Sequence, residues 1–200
     1  ADHGYELVFL VDGFSAPIAI VASILQLATC RFSAGYLHNE PGFVRFFALM
    51  LVFAAGFQLL VLGGGVEILF AGWEVVGMTS VLLVAFFHER RGPVRAAIRV
   101  LATYRLCDVG LVLAAVFLHQ SLHTTVFANM PASGAAGANG GLIAAAVVGL
   151  LVAAMGKSAQ FPVGGWLPRA MEGPTASSAV FYGSLSVHAG VYLLARAAPL

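Results

Sequence analysis

Six stretches of this 200-residue chain run apolar for about 20 residues each, at 13–30, 46–64, 66–87, 94–118, 141–161 and 174–195. A helix of about 20 apolar residues crosses the hydrocarbon core of a bilayer. Inside that core each backbone N–H and C=O must be satisfied within the chain, which leaves helices or a closed barrel. The pattern therefore predicts an all-α membrane protein, a polytopic bundle with six transmembrane segments. Composition agrees. The chain is 60% hydrophobic and 10% charged, against about 25% charged residues in soluble domains, so it cannot cover a water-facing surface. Lipid is the expected solvent. A formal net charge of +1 provides no basic field for nucleic acid.

The gaps between the runs carry loop punctuation. HNEPG lies between Arg31 and Arg45, HERRGP occupies 88–93, residues 119–140 are rich in Gly, Ala, Ser and Asn, and PVGGWLPRAMEG occupies 162–173. Pro93 and Pro174 suit the first turns of the helices they precede. With the N-terminus outside, Arg31, Arg45, Arg90, Arg91, Arg95 and Arg169 fall inside and only Arg196 falls outside. The positive-inside rule then predicts a cytoplasmic 88–93 loop, in a bacterial inner membrane. The opening ADHGYE is unlike a cleavable signal. With no initiator Met and a helix-like LLARAAPL at its end, the chain reads as a segment of something longer.

The informative residues are those a lipid-spanning helix should lack. The third run carries Glu67 and Glu74, seven apart and nearly on one face. The fourth carries Arg99, Arg105 and Asp108, the last two spaced to pair at i,i+3. Lys157 falls in the fifth run and His188 in the sixth. An ionised group at the bilayer centre costs about 3 kcal/mol, so such residues face a bundle interior, a partner charge or water. Residues 141–171 are too long and too broken for one helix, with Gly156 before Lys157 and Pro162, Gly164 and Gly165 after it. A break near 157–165 would hold Lys157 at mid-membrane, as discontinuous helices hold ions in transporters. Alternatively, Lys157 is an end residue that snorkels to the interface. Plain structural readings also stand for the others: Glu74 as a carboxylate bonded between helices, Glu67 as a solvated helix end, Arg105–Asp108 as a neutralised pair, and His188 as a packing residue.

Other chemistries find little support. His119 and His123 share a helical spacing, but no carboxylate or cysteine completes a metal site. Cys30 and Cys107 read as small apolar helix residues. GGGVEIL at 63–69 lacks the strand, Lys and Ser/Thr of a phosphate loop, and no dinucleotide fingerprint occurs. The chain is expected to bind no cofactor and to hold no catalytic redox site of its own. A lipid- or peptide-cleaving membrane enzyme would need paired aspartates or a Ser/His/Asp set within the spans.

GWEVVGMTSVLLVAF (72–86), RVLATYRLCDVGLVLA (99–114) and GKSAQFPVGGWLPRAMEGPTASSA (156–179) resemble the antiporter-type membrane subunits of respiratory complex I and of Mrp-type sodium/proton antiporters. VDGFSAPI (11–18) and GVYLLAR (190–196) fit as well, and the likeness is nearest to the L-type subunit. The resemblance implies two inverted five-helix repeats in the whole protein, each with a broken helix and a half-channel. Residues 46–195 would form the first repeat, behind one leading helix at 13–30. It implies that Glu74 and Lys157 are the pair that modulates a proton-carrying lysine, with Arg105 and Asp108 in support. Apart from the resemblance, Glu67 near the outer end of its run is expected at the mouth of the channel, and His188, whose helix follows the lysine, is expected to take over the relay. The transported ion would be H⁺, with Na⁺ left open. Partners would be a redox arm, antiporter subunits or a zinc-containing carbonic-anhydrase-like protein. One departure stands out. Family members of the L type commonly carry a histidine where this chain has Tyr182, whereas here the histidine comes six residues later, at His188. Six residues turn a helix by roughly 120° from its starting direction, which unsettles the relay geometry. GPTASSA also replaces the commoner G-P-T-P-V-S-A, and both changes point toward relatives such as the membrane half of a two-component inorganic-carbon uptake system.

Overall fold

The computed structural model describes residues 7–130 and 140–198, with Phe181 and Tyr182 described for their backbone only. All six predicted crossings are helical. They are α1 Ser15–Tyr36, α2 Phe43–Leu62, α3 Val66–Val84, α4 Arg91–Leu122, α5 Gly140–Lys157, and a sixth crossing built in three parts. That crossing consists of the short α6 (Thr175–Ser178), a π-helical stretch over Ala179–Leu185 and α7 (Ser186–Ala197). The Ser184 hydroxyl donates to the Ala179 carbonyl across the wide turn at 3.0 Å. Among the described residues β-type pairing is limited to isolated bridges, Phe9 with Gly63 and Gly65 with Val126.

Boundaries depart from the sequence reading where apolar length is a poor ruler. α1 continues past Arg31 because nothing in RFSAGY stops a helix, and it closes with the Leu37 N–H on the Ser33 carbonyl. The 32 residues of α4 span about 48 Å, so its arginine-rich start extends beyond a roughly 30 Å hydrocarbon core. α5 stops at Lys157 rather than 161. Ala159 adopts a left-handed φ of 52°, Pro162 has no N–H to donate, and the chain continues only as 3₁₀ turns at Gly164–Trp166 and Pro168–Glu172.

α3 is the most enclosed of the six and α1 the least. α3 packs between α2 and α4, α5 lies against α4 and α7, and α1 leans on α2. Two of these crossings are set by glycine. A Cβ on Gly72 would stand 2.6 Å from the Gly56 carbonyl, and one on Gly110 would stand 2.5 Å from the Gly149 carbonyl. Lipid tails give apolar helix faces no hydrophobic reason to associate, so close backbone approach through small residues supplies the packing energy.

One end of the bundle is stitched by backbone pairing: Leu10 N–H to Leu62 O at 2.9 Å, Gly64 N–H to Val8 O at 2.7 Å, and Val66 N–H to Thr125 O at 3.1 Å. The GGG run thus spends its backbone on the N-terminal segment and the loop after α4. At that same end the Arg196 guanidinium grips Asp12, at 2.5 Å and 3.2 Å. Arg196, helped by the Ser15 N–H, holds the Asp12 carboxyl well below the usual carboxylate range. The opposite end gathers Arg45, which donates to the Phe86 carbonyl at 2.8 Å, with the starts of α2 and α4 and the 168–174 turns. The arginines assigned to one side fall at this second end, and Arg196 falls at the first.

The α4–α5 crossing yields a direct test. Gly110→Val should lower stability by about 1–3 kcal/mol through overpacking, read as a lower unfolding temperature of the full-length protein in detergent. Gly35→Ala, where an added Cβ meets nothing within 4 Å, should leave that temperature unchanged or raise it.

Candidate functional site

Lys157 is the only lysine in the sequence, and it is the last residue of α5. Because α5 ends there, the lysine stays at depth. Its neighbours are Trp73 and Gly77 near the middle of α3 and Tyr104 near the middle of α4. At 1% exposure it is enclosed, which rules out the snorkelling alternative. The ammonium donates to the Trp73 carbonyl at 3.0 Å. It also sits 4.8 Å from the Trp73 ring centre and 4.4 Å from that of Tyr104. Both aromatic faces are negative and attract a cation.

Glycines make the space. A Cβ on Gly77 would lie 2.7 Å from the lysine Nζ. Gly156, expected only as part of the helix break, also lets α5 close onto Cys107 of α4, whose Sγ would stand 2.6 Å from an added Cβ. Beyond the lysine, the Ser158 hydroxyl donates to Val187 O at 2.6 Å and the Trp166 indole donates to Gly156 O at 3.0 Å. The Trp166 ring meets Tyr104 edge-on at 5.0 Å. The broken segment thus folds back on its own helix end, with Gly164 and Gly165 opening the turn that carries Trp166 and a cis peptide preceding Pro162.

The carboxylates stand close by without touching the lysine. Glu74 pairs with Arg105. Asp108, 5% exposed, accepts the Trp73 indole N–H at 2.6 Å. The i,i+3 pairing of Arg105 with Asp108 is therefore not the arrangement adopted. Arg105 points outward across to α3, with 43% of its side chain exposed, while Asp108 points inward. Oε1 of Glu74, Oδ2 of Asp108 and the Tyr104 and Ser186 hydroxyls are buried without a hydrogen-bond partner. Such groups are costly, and the Tyr104 ring that carries one of them lies against the ammonium.

Glu67 lies two turns nearer the stitched end of α3. It accepts the Thr125 hydroxyl through Oε1 at 2.5 Å, and its Oε2 is buried without a partner. It is thus a half-enclosed carboxylate rather than a solvated helix end, about 10 Å along the helix from Glu74. His188 is not brought to Lys157. It is exposed on α7 and lines a groove of about 480 Å³ with Phe14, Ile18 and Tyr192. Ser186 and Gly190, two residues to either side, occupy the buried face. His119 and His123 close α4, the His123 N–H bonding His119 O with φ 53°. Among the described residues no cluster of three potential ligands for a metal occurs.

Reading charge alone misses Trp73, Tyr104 and Gly77, which build the lysine's cradle. A signal was present. Trp73 and Gly77 are four apart, so removing the Gly77 side chain clears the face over the Trp73 carbonyl.

Residues 65–200 match the family described as NADH:quinone oxidoreductase/Mrp antiporter, TM, and residues 2–47 match the NADH-ubiquinone oxidoreductase (complex I), chain 5 N-terminus. NADH-ubiquinone oxidoreductase chain 5 of Hippopotamus amphibius is 37% identical over 204 residues, covering 97% of this chain and 32% of that one. NAD(P)H-quinone oxidoreductase chain 5 of Synechocystis sp. is 32% identical over 200 residues, covering 98% and 29%. Among solved structures, the Mrp complex from Dietzia sp. superposes with a TM-score of 0.89 at 30% identity, over 96% of this chain and 21% of that one. The chain spans about a third of the length of the curated relatives it matches.

Enclosure of the lone lysine can be measured. In the native full-length protein, peptide mapping after treatment with an amine-reactive reagent should find Lys157 unmodified until the protein unfolds. Gly77→Ala should keep the fold, because the atom displaced is the tip of a flexible side chain, and should make Lys157 modifiable severalfold faster.

Proposed function

The chain belongs to the NADH:quinone oxidoreductase/Mrp antiporter family of membrane subunits, and from that membership and the buried cluster we propose that it translocates protons within a multi-subunit membrane complex. The observation that carries the reading is a lysine enclosed at mid-depth with Glu74 and Asp108 beside it and in contact with neither. α1 would be the leading helix, and the remaining crossings the first five-helix repeat. The proposed orientation has the N-terminus outside and 88–93 in the cytoplasm, in agreement with the arginines gathered at that end of the bundle.

In this reading Lys157 is the proton carrier. An ammonium in a low-dielectric interior depends on its surroundings, so displacing a nearby carboxylate changes its hold on the proton. Glu74 is shared. Arg105 draws its charge outward, and a swing of that side chain toward Lys157 would favour the protonated state. Moving one unit charge across 100 mV requires about 2.3 kcal/mol. Drawing a carboxylate from roughly 4 to 8 Å at an effective dielectric of about 20 changes the interaction by about 2 kcal/mol. The two magnitudes match, so the Glu74–Arg105 exchange is large enough to drive release. Glu67 would feed the cluster from the stitched end. The hydroxyls of Tyr104 and Ser186 would carry the proton toward α7, with His188 the acceptor beyond.

A second reading draws on the GPTASSA run and the histidine placed at 188: the proton-using half of an inorganic-carbon uptake complex. Purification of the full-length protein from its membrane separates the two. Co-purifying iron–sulfur and flavin subunits identify a redox-driven pump, and a single large zinc protein identifies the carbon-uptake complex.

Two outcomes test the core proposal. Lys157→Ala in the full-length protein, reconstituted with its partners in liposomes, should abolish coupled proton flux while the assembled complex persists. Unchanged flux would sink the proposal. Glu89→Cys should be modified by a membrane-impermeant thiol reagent in inverted vesicles only; modification in right-side-out vesicles would reverse the orientation.

A further inference from the structure

We infer that Trp73 is a positioning residue for the proton carrier, holding Asp108 off Lys157 through its indole N–H while holding Lys157 in place through its own carbonyl. The inference rests on the proton-carrier reading of Lys157. Trp73 has two polar ends and both are engaged at this site: the indole donates to Asp108 Oδ1 at 2.6 Å, and the backbone carbonyl accepts from Lys157 at 3.0 Å. Its ring face also lies 4.8 Å from the ammonium. One fully buried residue, at 0% exposure, therefore touches both a carboxylate and the cation that would otherwise attract it.

Asp108 has reason to move. It is four residues from Tyr104 on α4, and Tyr104 lies directly against the ammonium, so Asp108 is about one helical turn, roughly 6 Å along the axis, from Tyr104 on that helix. Its Oδ2 is buried with no partner. A carboxylate with one free oxygen and a cation one turn away is kept apart only by what holds its other oxygen. A charge-assisted N–H···O bond is short and strong, and this one spans 2.6 Å. The remaining charged groups that face Lys157 are Glu74 on α3 and Arg105 on α4. The Tyr104 phenol and the Cys107 thiol complete the titratable set on α4, and α7 presents Ser186. Glu74 is engaged by Arg105. Asp108 is thus a second carboxylate able to approach, and the Trp73 indole is its restraint.

The consequence is a second control on the same lysine. With the indole bond made, the charge of Asp108 stays on the Trp73 side. With the bond broken, the carboxylate turns to the ammonium and the proton is held more tightly. Any movement of α3 against α4 changes both ends together, because both belong to Trp73.

The test replaces the indole N–H alone. In the full-length protein reconstituted with its partners, Trp73→benzothienylalanine keeps the ring face and the backbone carbonyl but has sulfur where the N–H was. The pH of half-maximal proton flux should then move up by roughly one unit, a tenfold tighter hold on the proton. Asp108→Asn keeps an acceptor for the indole but removes the charge, and it should move the midpoint down. In the Asp108→Asn background the tryptophan analogue should cause no further change, since the two act as a coupled pair. An unmoved midpoint with the analogue, or the same shift with Asn at 108, overturns the inference. The two readings fail separately. Flux surviving Lys157→Ala removes the proton carrier itself, whereas flux lost in Lys157→Ala with an unmoved analogue midpoint removes only the role of Trp73.

Discussion

A lone ammonium buried at the centre of the bundle, in contact with a carbonyl and two aromatic faces but with no carboxylate, is the constraint to which the surrounding structure answers. It explains why α5 must end where it does. A helix continuing through residue 161 would carry the next turns across the bundle centre and leave no room for the fold-back that brings Trp166 onto Tyr104. Left-handed Ala159, Pro162 and the Gly164–Gly165 pair stop the helix, and the freed backbone is satisfied locally, as the depth requires. The Trp166 indole takes the Gly156 carbonyl, and the Ser158 hydroxyl takes a carbonyl of the neighbouring helix. Irregular backbone at membrane depth is tolerated because it is enclosed by protein.

The same cation accounts for the glycines on its walls. Gly77 removes the side chain that would occupy the ammonium's place, and Gly156 removes the one that would hold α5 away from Cys107. Gly110 and Gly149 bring the same two helices together again, the second of them two turns before Gly156 on α5. The α4–α5 crossing and the depth of the lysine are therefore one geometric fact: close approach at 110/149 and 107/156 fixes the line along which Lys157 enters. Structural packing and the electrostatic site share residues, so neither can be altered independently.

Much of this was legible in the sequence because membrane physics leaves few options. Apolar length gave six helices, arginine placement gave their alternation, and the Gly, Pro and Lys spacing after 156 gave the break. What was not legible follows from what spacing measures. A helical interval gives the angle between two side chains but not the helix each one faces. Arg105 and Asp108 have the interval of a pair, yet they serve different neighbours: Glu74 for one and the Trp73 indole for the other. His188 shows the same limit. Its position on α7 was known, but which face α7 turns to α5 depends on the π-helical stretch before it, and that wide turn leaves no signature in apolar periodicity. The cradle residues do not stand out because Trp, Tyr and Gly are unremarkable in an apolar helix, whereas here they meet a charge.

The outward faces carry charge as well. Arg105 exposes 43% of its side chain near mid-depth and its partner Glu74 exposes 23%, yet charged side chains inside membranes face bundle interiors or water and not lipid tails. Snorkelling cannot relieve Arg105, because its partner Glu74 lies ten residues from the end of α3 at Val84, roughly 15 Å along the axis, well beyond the reach of its side chain. The α3–α4 face around this pair must therefore be covered by polar protein or by a water-filled passage in the assembled molecule. The relatives extend about twice this length again beyond the matched region. The half-exposed pair is thus the border of the buried polar cluster around Lys157, and Arg105 holds Glu74 at that border.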